Sequence, residues 1–181
     1  MSFAERLQKR RVALGWVFAV AFLVFARPRP ATVFAGALLA AAGSAFRTWA
    51  AGHIRKREAL AVAGPYARTR NPLYFGSFLM ACGALVMAWN PWLAAAFLAF
   101  ALPVYHLVIR REEAFLAEAF GERYADYRRA VPRFFPRLRA VRAESGEFDW
   151  GLVRRHGEWR SWVGVAALAL ALLARALVTA R

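Results

Sequence analysis

The sequence predicts an all-α protein, an integral membrane helical bundle of about five transmembrane helices with a cytosolic helix after the fourth. Three observations carry this. Hydrophobic residues make up 60% of the 181, too many for a soluble domain of that size. The 20% that are charged fall in blocks between long apolar runs. Those blocks concentrate Lys and Arg on alternate connections, which is the positive-inside pattern.

The apolar runs are Val12–Ala26, Ala31–Ala51, Pro72–Ala88, Pro91–Val108 and Trp162–Thr179. A span takes roughly 20 residues, fewer where Arg or Lys stems snorkel. The first and third runs are short, and Leu7–Arg11 and Trp89 extend them into the interface. Asn90-Pro91 reads as a tight turn, so the third and fourth runs form a helical hairpin. Ala35-Gly36 and Gly43-Ser44 put small residues on about one face of the second run, which suits close helix contact. The first run carries no small-residue cleavage site before Arg27-Pro28 and reads as a retained helix.

Orientation follows from the cations. With the N-terminus cytoplasmic, that face receives Arg6, Lys9, Arg10 and Arg11, then Arg55, Lys56, Arg57, Arg68 and Arg70, then twelve more between Arg110 and Arg160. The opposite face receives only Arg27, Arg29, Arg175 and Arg181. Arg47 lies inside the second span near its cytoplasmic end. The bias accounts for the formal charge of +15, so nucleic acid is not an expected partner. The partner is the lipid bilayer. The reading is of a multi-pass protein whose N-terminus and active site are cytoplasmic, in the inner or plasma membrane for a bacterial source. The single Cys82 excludes an internal disulfide, and His53, His106 and His156 lack metal-ligand spacing, so no metal is expected.

After the fourth run the chain becomes polar but stays patterned. Phe115, Leu116, Ala119 and Phe120 fall at helical spacing, so the helix continues past the membrane. Gly121 marks a cap or a joint in it, and Pro132 and Pro136 close it off. Ala140–Glu158 reads as an interfacial linker, with Phe148, Trp150 and Trp159 at headgroup level.

Chemistry concentrates in three stretches. In the first, Gly64 to Gly76, Asn71-Pro72 is a helix start with Asn at the N-cap and Pro at the first helical position. Its free N–H groups and positive dipole end, beside Arg70, favour an anion. Tyr74 lies in the first turn and Gly76 permits close approach; an ordinary capped helix flanked by topology-setting arginines explains the same residues. The second stretch is Arg110-Arg111-Glu112-Glu113, whose plain reading is a set of exposed ion pairs worth about 0–1 kcal/mol each. The hairpin brings Asn71 and the Glu pair to one face, where a positive helix end beside carboxylates suits a zwitterionic amino-acid headgroup. Adjacent residues point about 100° apart on a helix, so only one of the two carboxylates faces any given pocket. The third stretch is Phe120-Gly121-Glu122-Arg123-Tyr124-Ala125-Asp126-Tyr127, then Val131-Pro132-Arg133. Tyr124 and Tyr127 share a face there and either cover a cofactor or anchor an interfacial helix.

In this order and spacing the three stretches resemble the isoprenylcysteine carboxyl methyltransferase and phospholipid methyltransferase superfamily of integral membrane enzymes. The pattern G-x-Y, R-H-P-x-Y-x-G, E-E, F-G-x-x-Y-x-x-Y and V-x-R appears as Gly64, Tyr66, Arg70-Asn71-Pro72, Tyr74, Gly76, Glu112-Glu113, Phe120-Gly121, Tyr124, Tyr127, Val131 and Arg133. The resemblance implies methyl transfer from S-adenosylmethionine to a lipid-like or small hydrophobic acceptor, a carboxylate, thiol or amine. It implies cofactor contacts at Tyr66, Arg70, Asn71, Pro72, Tyr74, Gly76, Glu112, Glu113, Tyr124, Tyr127 and Arg133. The family His is Asn71 here, which can donate a hydrogen bond but cannot titrate. Arg47 and Glu113 are the catalytic candidates, Arg47 to orient an anionic acceptor, although snorkelling explains it equally. Residues 1–181 read as a single membrane domain, with a methyltransferase-like core at 64–136 and an interfacial linker and final transmembrane helix at 137–181. Two alternatives are an NADPH-dependent membrane reductase of the sterol type, which shares an Arg-His-Pro-x-Tyr hairpin, and a non-enzymatic membrane protein.

Overall fold

A computed structural model of the chain describes residues 18–55, 59–141 and 146–179. Every regular element among them is helical: α1 (18–25), α2 (Pro30–Ala51), a single 3-10 turn (Gly64–Ala67), α3 (Pro72–Ala88), α4 (Pro91–Ala130), α5 (Trp150–His156) and α6 (Trp159–Thr179). Residues 12–17 of the expected first span lie outside the described residues, as do Arg6, Lys9, Arg10, Arg11, Lys56, Arg57, Arg142 and Arg181. Three helices, α2, α4 and α6, are long and apolar enough to cross a membrane. The shorter α3 is apolar throughout and, at 17 residues, reaches about 26 Å.

Proline opens α2, α3 and α4 at the first helical position, where its missing N–H costs nothing. At the α3–α4 turn Trp89 takes a left-handed conformation, φ 49° and ψ 45°. Asn90 then does two jobs. Its Oδ1 accepts from the N–H groups of Trp92 at 2.9 Å and Leu93 at 3.4 Å, and its amide donates to the Phe25 carbonyl at 2.8 Å. With Arg27 N donating to Ala88 O at 2.7 Å, this ties the α1–α2 connection to the hairpin.

α2 and α3 form the tightest pair in the bundle. Gly36 and Gly43 on α2 meet Gly83 and Gly76 on α3, an antiparallel match of two seven-residue spacings. A Cβ on Gly43 would stand 2.7 Å from the Gly76 carbonyl, so the two backbones touch directly. α6 packs mainly on α2 and lightly on α3. The main apolar core draws Phe22, Val33, Ala40, Met87 and Leu172 from α1, α2, α3 and α6.

Although α3 and α4 share a turn, they make little contact beyond it. Phe134, from the segment after α4, fills part of the space, its ring against Phe75, Phe78 and Tyr105 at 5.6–6.4 Å. α4 itself runs on after the apolar run ends, as the pattern predicts. Its joint is Gly121, with φ 49° and ψ −127°, a conformation open essentially only to glycine. The helix stops at Ala130, one residue before Val131-Pro132.

Within the expected interfacial linker, Ala140–Glu158, lies a short helix, α5. Asp149 accepts from Gly151 N at 2.6 Å, Leu152 and Val153 are buried, and Gly157 at φ 68° terminates the turn.

Candidate functional site

At one end of α3, the segment 67–71 lies alongside the segment 132–141, running in the opposite direction. Arg70 N donates to Pro132 O at 2.9 Å, Arg137 N to Arg68 O at 3.0 Å and Val141 N to Ala67 O at 3.0 Å. Thr69, fully buried, adds a hydroxyl donation to Phe134 O at 2.9 Å. This pairing brings the Arg-Asn-Pro stretch and the Val-x-Arg stretch together.

Asn71 occupies the N-cap position of α3, but its side chain does not cap. Its amide donates instead to the Arg133 carbonyl at 2.9 Å, and the residue is buried. The first-turn N–H groups of Leu73 and Tyr74 therefore lack the oxygen that an N-cap side chain ordinarily supplies.

Glu113 is the hub of the charged cluster. Its Oε1 lies 2.9 Å from Arg70 Nη1 and its Oε2 2.5 Å from Arg133 Nη2. The Arg133 contact is a hydrogen bond. The Arg70 contact is an ion pair, and Arg70 Nε and Nη1 are buried without a hydrogen-bond partner among the described residues.

Glu112 points elsewhere, as the 100° step between neighbours requires. It lines a cavity of about 250 Å³ together with Arg47, Ile54, Tyr66, Arg70, Asn71, Pro72, Leu73, Tyr74 and Ser77. Tyr66 is buried, and its hydroxyl has no hydrogen-bond partner among the described residues. Burial pushes the phenol well above its ordinary range, reinforced by Tyr127 and Glu112, so Tyr66 presents a neutral O–H.

A second cavity, about 210 Å³ and mostly apolar, lies between α3 and α4. Phe78, Ala101, Leu102, Tyr105, His106, Ile109, Phe134 and Phe135 line it, with Arg133 at its edge. Tyr74 of the first cavity and Tyr105 of the second stack edge-on, 5.8 Å between centroids. The two cavities are thus separated by an aromatic pair.

The remaining expected residues are placed as follows. Arg47 lines the first cavity with its guanidinium bound on three sides. Nε and Nη2 donate to the two Glu158 oxygens at 3.0 and 2.7 Å, and Nη1 donates to Ser77 Oγ at 2.5 Å and Leu73 O at 3.3 Å. What approaches Gly76 is the stem of Arg47 and the Gly43 carbonyl. Tyr124 and Tyr127 sit in a second apolar cluster with Leu60 and Val131, and Tyr127 Oη donates to Tyr66 O at 2.8 Å. Neither tyrosine lines the first cavity; Tyr127 instead braces the turn that carries Tyr66. Three polar residues here escaped the sequence reading: Thr69, Ser77 and Glu158. Glu158 lies 111 residues from Arg47, and no spacing rule connects them.

The residues fit a zwitterionic ligand end. Buried arginine donors and uncapped helix N–H groups favour a carboxylate, Glu112 favours an ammonium, and Tyr66 offers an unused hydroxyl. Among the described residues no group of three or more potential metal ligands occurs.

A helical bundle with long apolar helices and a charged pocket at one end of them fits a membrane protein. Its residues 31–123 match the phospholipid methyltransferase family, and the chain belongs to that family. It is 39% identical over 138 residues to the cobalt-zinc-cadmium resistance protein CzcN of Cupriavidus metallidurans, 71% of this chain and 63% of that one. It is 44% identical over 102 residues to the nickel-cobalt-cadmium resistance protein NccN of Alcaligenes xylosoxydans xylosoxydans, 55% of this chain and 47% of that one. The mouse protein-S-isoprenylcysteine O-methyltransferase is 34% identical over 106 residues, 57% of this chain and 36% of the enzyme. The chain thus spans less than two thirds of the length of each of these relatives. No solved structure matches it with significance. The family match favours methyl transfer over the reductase alternative.

Proposed function

We propose that the chain is an S-adenosylmethionine-dependent methyltransferase acting on a lipid-like or small hydrophobic acceptor at the cytoplasmic face of a membrane. Family membership supports the reaction class. One observation carries the site: Arg70 and Glu112, from separate stretches, line one cavity at the N-terminus of α3, and Glu113 ties Arg70 to Arg133 beside it. In this reading α1, α2, α3, the apolar half of α4, and α6 make five spans, and α4 beyond Ile109 is cytosolic. Residues 1–181 act as one membrane domain, with 64–136 as its catalytic core and 137–181 as the linker and last span.

The cofactor supplies an electrophilic methyl on a sulfonium. The chain binds and aligns. Arg70 and the uncapped N–H groups of α3 hold the carboxylate of the amino-acid end, and Glu112 holds its ammonium. Glu113 keeps Arg70 and Arg133 in place. A cavity of about 250 Å³ lies below the roughly 300–1,000 Å³ usual for small-molecule sites, so it suits the amino-acid end rather than a whole cofactor. The apolar cavity beyond the Tyr74–Tyr105 pair suits the acceptor's hydrocarbon part. Alignment of acceptor and methyl supplies most of the rate, since displacement at a sulfonium needs little covalent help. Asn71 excludes a base at that position, which favours an acceptor that is already a thiolate or carboxylate.

Calorimetric titration of the detergent-purified chain with S-adenosylhomocysteine tests this. Saturable binding, weakened in Glu112→Gln or Glu113→Gln, is expected. A folded protein that binds NADPH and no S-adenosylhomocysteine overturns it in favour of a reductase.

A further inference from the structure

Glu158 lies in the turn immediately before α6, beyond the matched residues 31–123. It is among the few buried charged residues, 5% exposed, and a buried carboxylate is costly unless its oxygens are satisfied. Both are. Oε1 accepts from Arg47 Nη2, and Oε2 accepts from Arg47 Nε and from Ser161 Oγ at 3.3 Å. The pair is bidentate, the geometry that fixes a guanidinium in plane as well as position. Ser77 and Leu73 O hold the remaining nitrogen, so Arg47 enters the cavity wall with one orientation. α6 is itself anchored on α2 nearby, through Trp162 Nε1 donating to Thr48 Oγ1 at 3.1 Å.

We propose that Glu158 is a positioning residue of the ligand site: through its bidentate pair it fixes Arg47 in the cavity wall, so the C-terminal α5–α6 segment completes a site otherwise built from residues 47–133. The inference rests on the cofactor reading above and adds a residue to it. Glu158 reaches the cavity wall through Arg47, whose charge it also cancels. Arg47 then offers the ligand a fixed donor and a flat face rather than a net positive charge.

The experiment is a double-mutant cycle read by S-adenosylhomocysteine titration of the full chain in detergent, with the melting temperature of each protein alongside. The four proteins are wild type, Glu158→Gln, Arg47→Gln and the double variant. Glu158→Gln is expected to weaken binding about tenfold, and to weaken it no further once Arg47 is gone, because coupled neighbours are non-additive. Glu158→Asp, which keeps the charge but withdraws it by one methylene, is expected to lose less, and it carries the test if the Gln variant fails to fold. A lowered melting temperature with unchanged affinity in the Gln and Asp variants would show a structural tether only and overturn the proposal. Affinity losses that multiply in the double variant would overturn it too. A wild type that binds no S-adenosylhomocysteine overturns the cofactor reading itself, and this inference with it.

Discussion

At Asn71 the backbone holds an N-cap position while the side chain serves another segment, joining the start of α3 to the Arg133 carbonyl. Replacing it with Ala removes one donor from the part-buried Arg133 carbonyl, which also accepts from Thr69 Oγ1 at 3.4 Å, and a hydrogen bond of this kind contributes about 0.5–1.5 kcal/mol. Asn71→Ala is therefore expected to lower the melting temperature in detergent and to weaken S-adenosylhomocysteine binding, because Arg133 shifts with its backbone. Tyr66 makes a separate prediction about pH. Its phenol is raised in the folded chain by burial first and by Tyr127 and Glu112 after that, whereas an unfolded tyrosine titrates near 10. Above about pH 10 the unfolded chain loses this proton while the folded chain keeps it, so stability falls as pH rises. Tyr66→Phe should flatten that part of the curve, which thermal melts between pH 9 and 11 can measure.

The α2–α3 seam is an element-scale device, and its glycines are replaceable only where no backbone faces them. Gly43→Ala places a methyl against the Gly76 carbonyl and Met80, and overpacking of this kind costs about 1–3 kcal/mol. Gly164→Ala in α6 meets nothing within 4 Å and is expected to be neutral or slightly stabilising. Melting temperatures of the two variants check the contrast. Half of this seam was legible in the sequence, where Gly36 and Gly43 mark one face of an apolar run. The partner was not read, although Gly76 and Gly83 repeat the same seven-residue spacing on α3. Helix limits were legible because Pro, Asn and Gly act locally: Asn90-Pro91 made the turn, Gly121 the joint and Pro132 the stop. Within the site, Asn71 and Glu112 line one cavity, and the nearness of Asn71 to the Glu pair followed from hairpin topology. The splaying of α3 from α4 did not, since it depends on Phe134 entering from a later segment. Nor could local pattern link Arg47 to Glu158, or Tyr127 to the Tyr66 carbonyl 61 residues away, because each contact is set by tertiary packing.

For the whole molecule the open quantity is which side of the membrane the site faces, and charge and geometry make the same case. The site gathers arginines and glutamates at the end of α3 opposite the Asn90 turn, and the segment 131–141 packs over that end. In the proposed five-span reading Asn90 and Trp89 face one side of the bilayer, and Leu138 faces the other. Leu138 is 94% exposed and Trp89 51% exposed, so a cysteine at either position is within reach of reagent from its own side. Cys82 is the only native thiol and can be removed by Cys82→Ala. In that background Trp89→Cys should react with a membrane-impermeant maleimide in intact cells. Leu138→Cys should react only after the membrane is opened or in inverted vesicles. The reverse pattern would put the cavity on the outer face, away from a cytosolic cofactor supply, and would contradict the positive-inside bias. Labelling of both from one side would mean that α3 and the apolar half of α4 do not span as a hairpin. At about 26 Å α3 is short against a hydrocarbon core of roughly 30 Å, so in the proposed reading Trp89 at the interface extends its reach. That places the labelled residue where an aromatic anchor is most favourable, and Trp89→Ser, paired with the same cysteine at Leu138, tests whether the short span holds its position without it.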